Sequence, residues 1–167
     1  MASPQTDSSP FRKLLQNYPL ISILTLGAFF RLFRLGSKSL WLDEAHGFNV
    51  AKEGMEAFWN RGIEPVHPPL FFFLLDGWSR LGESEFFLRL FSAVLSLVAL
   101  WLTYHLFHNL FDKEVALTIT LLLAVNPIII WYAQELRNYS LMLFLATLSM
   151  VGLVYVSQHR TNRQSLL

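Results

Sequence analysis

Two adjacent carboxylates, Asp43 and Glu44, sit in Ser39-Leu40-Trp41-Leu42-Asp43-Glu44-Ala45, just after the first apolar run of the chain. A carboxylate held beside an apolar surface can act as a general base toward a hydroxyl. Two carboxylates together can bind a divalent cation through oxygen. The plain reading of such a pair is a helix cap and a solvated loop acid. Arg89, in Glu85-Phe86-Phe87-Leu88-Arg89-Leu90-Phe91, also has two readings. Its guanidinium can grip a phosphate through paired hydrogen bonds, or its side chain can snorkel from the mouth of a helix to water. Arg31 has the same two readings, and for it snorkelling is favoured. His67, before Pro68-Pro69, can contact a diphosphate or sugar, or simply be the polar residue at a helix start. The stretch Tyr132-Ala133-Gln134-Glu135-Leu136-Arg137-Asn138-Tyr139 is denser, with six hydrogen-bonding side chains in eight residues between two apolar runs. On a helix, Glu135 and Tyr139 share a face.

The elements that must position these groups are membrane helices. The chain has 167 residues, 53% hydrophobic and 15% aromatic, with mean hydropathy +0.40. Such a chain reads as an integral membrane protein. A net charge of +1 lacks the concentrated basic face that nucleic acid needs. Cysteine is absent, so neither a disulfide framework nor thiolate chemistry is available.

Residues 1–13 read as a disordered cytoplasmic tail ending in Arg12-Lys13, and 159–167 as a basic cytoplasmic tail. Between them lies one helical module, 14–158, with spans at about 14–34, 86–108, 115–133 and 139–158. The intervening stretch 35–85 is the first extracytoplasmic loop. Within it Asp43 caps a short helix through about Glu53, stopped by Gly54. The run after His67-Pro68-Pro69 is too short to span and makes a second interfacial or re-entrant helix. With that run not spanning, Arg12/Lys13, Lys113 and Arg160/Arg163 fall inside, as the positive-inside rule asks, while the Arg31–Lys38 cluster works against it. Asp43, His67, Arg89 and Glu135 then share the outer side. The expected fold is an all-α bundle of about four transmembrane helices plus two membrane-parallel helices.

In order, the SLWLDEA stretch, His67-Pro68-Pro69-Leu70, Leu88-Arg89-Leu90-Phe91-Ser92-Ala93 and Trp131–Tyr139 together resemble the N-terminal part of the GT-C glycosyltransferases. The protein O-mannosyltransferase and aminoarabinose-transferase branch is the most similar. The resemblance covers about residues 20–158. It implies that Asp43 is the catalytic base and that Arg89 holds the phosphate of the donor. It also implies that the Gln134-Glu135-Leu136-Arg137-Asn138-Tyr139 loop lies over the same cavity. Family members usually have many more spans, so the chain is expected to be a fragment, a truncated frame or a reduced form that needs a partner.

The expected function is transfer of a sugar from a polyprenyl-phosphate donor to a hydroxyl of a lipid, glycan or protein acceptor. It proceeds with inversion, outside an inner (plasma) membrane that the chain crosses several times. Asp43 is the expected base. Glu44, His67, Arg89, Gln134, Glu135, Arg137 and Tyr139 are expected to bind donor or substrate. No cofactor is assigned; the metal requirement stays open, and a divalent cation, if one is used, falls to Asp43 and Glu44. The alternative is a non-catalytic membrane protein that binds polyprenyl phosphate or a partner transferase subunit. A plain structural bundle is a third reading. A transporter is disfavoured because the polar outliers cluster at one surface.

Overall fold

The computed structural model describes the backbone of residues 10–61 and 68–164, with the side chains of 18–54 and 68–158. Among these residues every regular element is a helix: α1 (Pro10–Leu32), α2 (Leu42–Arg61), α3 (Pro69–Ser79), α4 (Glu85–Leu110), α5 (Lys113–Ala124), α6 (Pro127–Ala133) and α7 (Tyr139–Gln164). The protein is a helical membrane bundle. Two helices, Glu85–Leu110 and the Tyr139–Gln158 part of α7, are long and apolar enough to cross a membrane, and α5 with α6 makes a third if taken as one bent span. Tyr18–Leu32 is a shorter apolar helix. The described residues thus hold two or three such helices where about four were expected.

The stretch expected as a single span at about 115–133 is two helices bent by 62°. Asn126-Pro127 is the cause. Pro127 has no N–H to give Leu123, and the N–H groups of Ile128 and Ile129 turn to the Asn126 side chain at 3.0 and 3.2 Å. The carbonyls of Leu123 and Ala124 are therefore left without their helical donors.

Arg31 fills that vacancy, and its expected snorkelling is overturned. It is fully buried. Its Nη1 donates to Ala124 O at 3.0 Å and to Gly27 O at 3.1 Å, its Nη2 to Leu123 O at 3.4 Å, and its Nε to Ser96 Oγ at 2.9 Å. A cation at the C-terminal end of α5 also meets the negative end of the helix dipole. Gly27 permits the close approach, since a Cβ there would lie 2.9 Å from Leu100 Cδ2 and 3.3 Å from Arg31 Nη1.

Two apolar clusters hold the ends. Val50, Phe71, Leu75, Leu88, Phe91, Leu136 and Leu141 join α2, α3, α4, the 134–138 turn and α7. Leu20, Tyr104 and Ala116 join α1, α4 and α5 at the other end. α3 is about 16 Å long, roughly half a hydrocarbon core. It lies across the start of α4, with the Trp78 ring stacked 4.9 Å from Phe87 and its Nε1 donating to Phe87 O at 2.8 Å.

Candidate functional site

The end of α1, the start of α2, the start of α4, the end of α6 and the start of α7 meet at one end of the bundle. The chain leaves α1 through a turn in which Arg34 has φ 57°. It then passes so close to α4 that a Cβ on Gly36 would lie 2.7 Å from Phe86 Cβ. That approach delivers the carbonyls of Leu35, Lys38 and Ser39 to Arg89.

All five N–H groups of Arg89 are engaged inside the protein. Nη1 donates to Leu35 O at 3.2 Å and Lys38 O at 2.7 Å, and Nη2 to Ser39 O at 3.1 Å. The other two bonds form a fork onto Glu44: Nε to Oε1 at 2.9 Å and Nη2 to Oε2 at 2.6 Å. Glu44 is equally committed. Oε1 also accepts from Leu136 N at 2.8 Å, and Oε2 from Trp41 N at 3.2 Å. The last bond makes Glu44, rather than the expected Asp43, the residue that caps α2, reaching back from the third helical position to the capping residue. The helix begins at Leu42, loses helical geometry at Gly54 (φ 79°, ψ 175°) and resumes to Arg61, so the expected stop at Gly54 is a kink.

The pair thus fastens three distant segments together, and both side chains are nearly inaccessible, at 8% for Arg89 and 1% for Glu44. A phosphate at Arg89 would have to displace one of these bonds. A cation held between Asp43 and Glu44 does not fit either, because every oxygen of Glu44 faces N–H donors. Among the described residues no group of three or more His, Asp or Glu could hold a metal.

Asp43, one residue away, turns out of this lock. Its side chain is 47% exposed and Oδ2 lies 3.3 Å from Arg137 Nη1. With His46, Gly47, Phe71, Phe72, Leu136, Arg137 and Asn138 it lines a cavity of about 20 Å³, room for about one water molecule. Anything larger than a water molecule would therefore sit over its mouth. The Arg137 guanidinium also lies 6.0 Å from the centre of the Tyr139 ring, which packs 4.3 Å from Tyr132.

Across the Glu44–Arg89 lock is a larger groove of about 700 Å³, lined by α1, the following turn and α6, with Trp41, Trp131, Gln134 and Glu135 at its border. Gln134 serves the fold here. Its Nε2 donates to the α1 carbonyls of Phe30 at 2.8 Å and Phe33 at 3.1 Å. Glu135 accepts from Trp131 Nε1 at 2.6 Å. Burial pushes its carboxyl above the usual glutamate range and the Glu44 charge adds to this, while the Trp131 bond, Arg137 and Arg89 pull it back.

Residues 66–167 match the family described as dolichyl-phosphate-mannose-protein mannosyltransferase. The chain belongs to this family. No curated protein and no solved structure matches it. Within this mannosyltransferase-family chain, Arg89 and the 132–139 stretch fall inside the matched segment, whereas Asp43 and Glu44 precede it. Of the candidate residues, Asp43, Glu44, Arg89, Gln134, Glu135, Arg137 and Tyr139 are brought to one end of the bundle; His67 lies outside the described residues.

The bracing role of Arg31, the place of Asn138 beside Asp43 and the backbone carbonyls of Leu35, Lys38 and Ser39 on Arg89 were not anticipated. The signal for Arg31 was Asn126-Pro127, a helix stop inside an apolar run that announces two orphan carbonyls.

Proposed function

We propose that this chain is the part of a membrane glycosyltransferase in which Asp43 is the general base, acting outside an inner (plasma) membrane on a polyprenyl-phosphate-linked sugar. The observation that carries this reading is the opposite treatment of two adjacent acids. Glu44 is buried and fully bonded, so its helix is held rigidly on α4 and the 134–138 turn. Asp43 is thereby presented to solvent at the mouth of a small cavity, with Arg137 beside it. The family membership supports a sugar on a dolichyl-type phosphate as donor.

In the mechanism, the acceptor hydroxyl gives its proton to an oxygen of Asp43 as its own oxygen attacks the anomeric carbon. The bond from that carbon to the lipid phosphate breaks on the opposite face, and the configuration inverts. Arg137 orients the carboxylate. Leu136 N–H and the Arg89 fork on Glu44 keep the first turn of α2 fixed, so that the base does not reorganise during transfer. Asp43, Arg89 and Glu135 at one end, the Lys113 loop at the other and the basic C-terminal tail of the sequence support an extracytoplasmic active face.

The test is Asp43→Asn in the full-length protein, assayed for sugar release from a polyprenyl-phosphate donor. The expected loss is about two to four orders of magnitude with the fold intact. Transfer at the parent rate would remove Asp43 from the chemistry.

A further inference from the structure

Among the described residues, the buried polar side chains bond inside the protein with one exception. Arg31, Glu44, Arg89 and the buried serines and threonines all have hydrogen-bond partners in the chain. Asn138, only 9% exposed, has none for its side-chain amide. It stands just before α7, where its backbone carbonyl accepts from Met142 N at 2.9 Å, as that of a capping residue does. The side chain of a capping asparagine ordinarily turns back onto the first N–H groups of its helix. This one lines the small cavity beside Asp43 instead. No fully enclosed side-chain nitrogen or oxygen among the described residues lacks a partner, so the amide is open on its cavity side.

The cavity measures about 20 Å³. A water molecule needs about 10–15 Å³ of such room and two to four polar partners. The lining supplies them in Asn138 and Asp43, with Arg137 and His46 alongside. A group with a carbon skeleton does not fit. An acceptor hydroxyl has another way in, because the Asp43 side chain is 47% exposed and can be reached from outside. The base is thus open on two sides, to a cavity of one-water size and to the solvent.

We infer that the cavity seats one water molecule, held by Asn138 against Asp43, and that this water gives the protein a second activity: hydrolysis of its lipid-linked sugar when no acceptor is bound. This rests on the glycosyltransferase reading and gives the same base a second nucleophile. The water donates one hydrogen to the Asp43 carboxylate and the other to Asn138 Oδ1, which turns a lone pair toward the mouth. As its oxygen bonds to the anomeric carbon, Asp43 takes the proton. The bond from that carbon to the phosphate oxygen breaks, and its electron pair leaves with the lipid phosphate. The products are the free sugar and the lipid phosphate. An acceptor that reaches Asp43 from outside consumes the same sugar, so transfer and hydrolysis compete.

The test uses full-length protein in detergent with farnesyl-phosphate mannose as donor. It reads free mannose released without acceptor and mannose transferred to a threonine-containing peptide. The parent should do both, and added peptide should suppress the release. Asp43→Asn should lower both. Asn138→Leu removes the amide at similar size and should lower the ratio of hydrolysis to transfer about tenfold or more. Gly47→Ala should act in the same direction by narrowing the cavity, since a Cβ there meets only Phe72 Cε1, at an ordinary 3.8 Å. In water labelled with heavy oxygen the released farnesyl phosphate should stay unlabelled; label in it would place the attack at phosphorus and overturn the step. If the parent transfers mannose but releases none, or if Asn138→Leu keeps the ratio within about twofold of the parent, the inference falls and the glycosyltransferase reading stands. Gly47→Ala decides in the same way if Asn138→Leu does not fold. Release that survives Asp43→Asn also overturns the inference. If the parent neither transfers nor releases mannose, both readings fall together.

Discussion

Arg31 and Arg89 are both arginines on apolar helices, both buried, and they are held in opposite ways. Arg89 has a carboxylate, Glu44, in a two-bond fork, and three loop carbonyls besides. Arg31 has no carboxylate; three carbonyls and one hydroxyl receive it. The difference follows from what the facing chain leaves unbonded. Opposite Arg89 is a loop with free carbonyls and an acid at the start of a helix. Opposite Arg31 is a helix broken by proline, which exposes two carbonyls and the negative end of a dipole. A buried guanidinium is thus a probe of its neighbour's backbone, and in this protein the two arginines brace the site from two directions. Arg89 fixes the helix that carries Asp43. Arg31 fixes the bend that leads to Gln134 and Arg137.

The comparison breaks most readily at the charged pair. Arg89→Ala should destabilise by about 3–5 kcal/mol, because it leaves Glu44 buried and unpaired. Glu44→Leu should cost a similar amount and also release Leu136 N–H. The Glu44→Leu/Arg89→Met double variant should cost clearly less than the sum, measured by unfolding in detergent. Additive costs would mean that the two side chains act independently.

Arg31→Met should cost less, about 2–3 kcal/mol, since it orphans two neutral carbonyls rather than a charge. Pro127→Ala sharpens this. It gives residue 127 an N–H within reach of Leu123 O, so the Arg31→Met penalty in that background should shrink by about 1 kcal/mol. An undiminished penalty would show that Arg31 is not substituting for the missing helical donor.

The smallest effect lies in Glu135, beside both braces. Its carboxyl is raised in the folded state, chiefly by burial, so the folded protein holds a proton that the unfolded chain has released. Stability therefore falls as pH rises from the ordinary glutamate range through the raised folded value. Glu135→Gln should remove that slope, so the melting temperature of the parent relative to the variant should decline across this window. Parallel curves would mean that Glu135 does not differ between the folded and unfolded states.

The sequence by itself determined the class of the molecule and the end at which its chemistry gathers. Long apolar runs broken by compact polar stretches make membrane helices, because backbone groups in hydrocarbon must bond within their own segment. The acidic pair after the first run and the polar run before the last follow from that order. Tertiary structure alone decided which acid is exposed. Asp43 and Glu44 are equivalent in composition, and one residue of helix turns them about 100° apart. Which of them faces the core depends on where Arg89 and Leu136 N–H lie, and these arrive from 45 and 92 residues away. The snorkelling expected of Arg31 failed for the same reason: its partners are the carbonyls of Leu123 and Ala124, freed by a bend that no local property of α1 records.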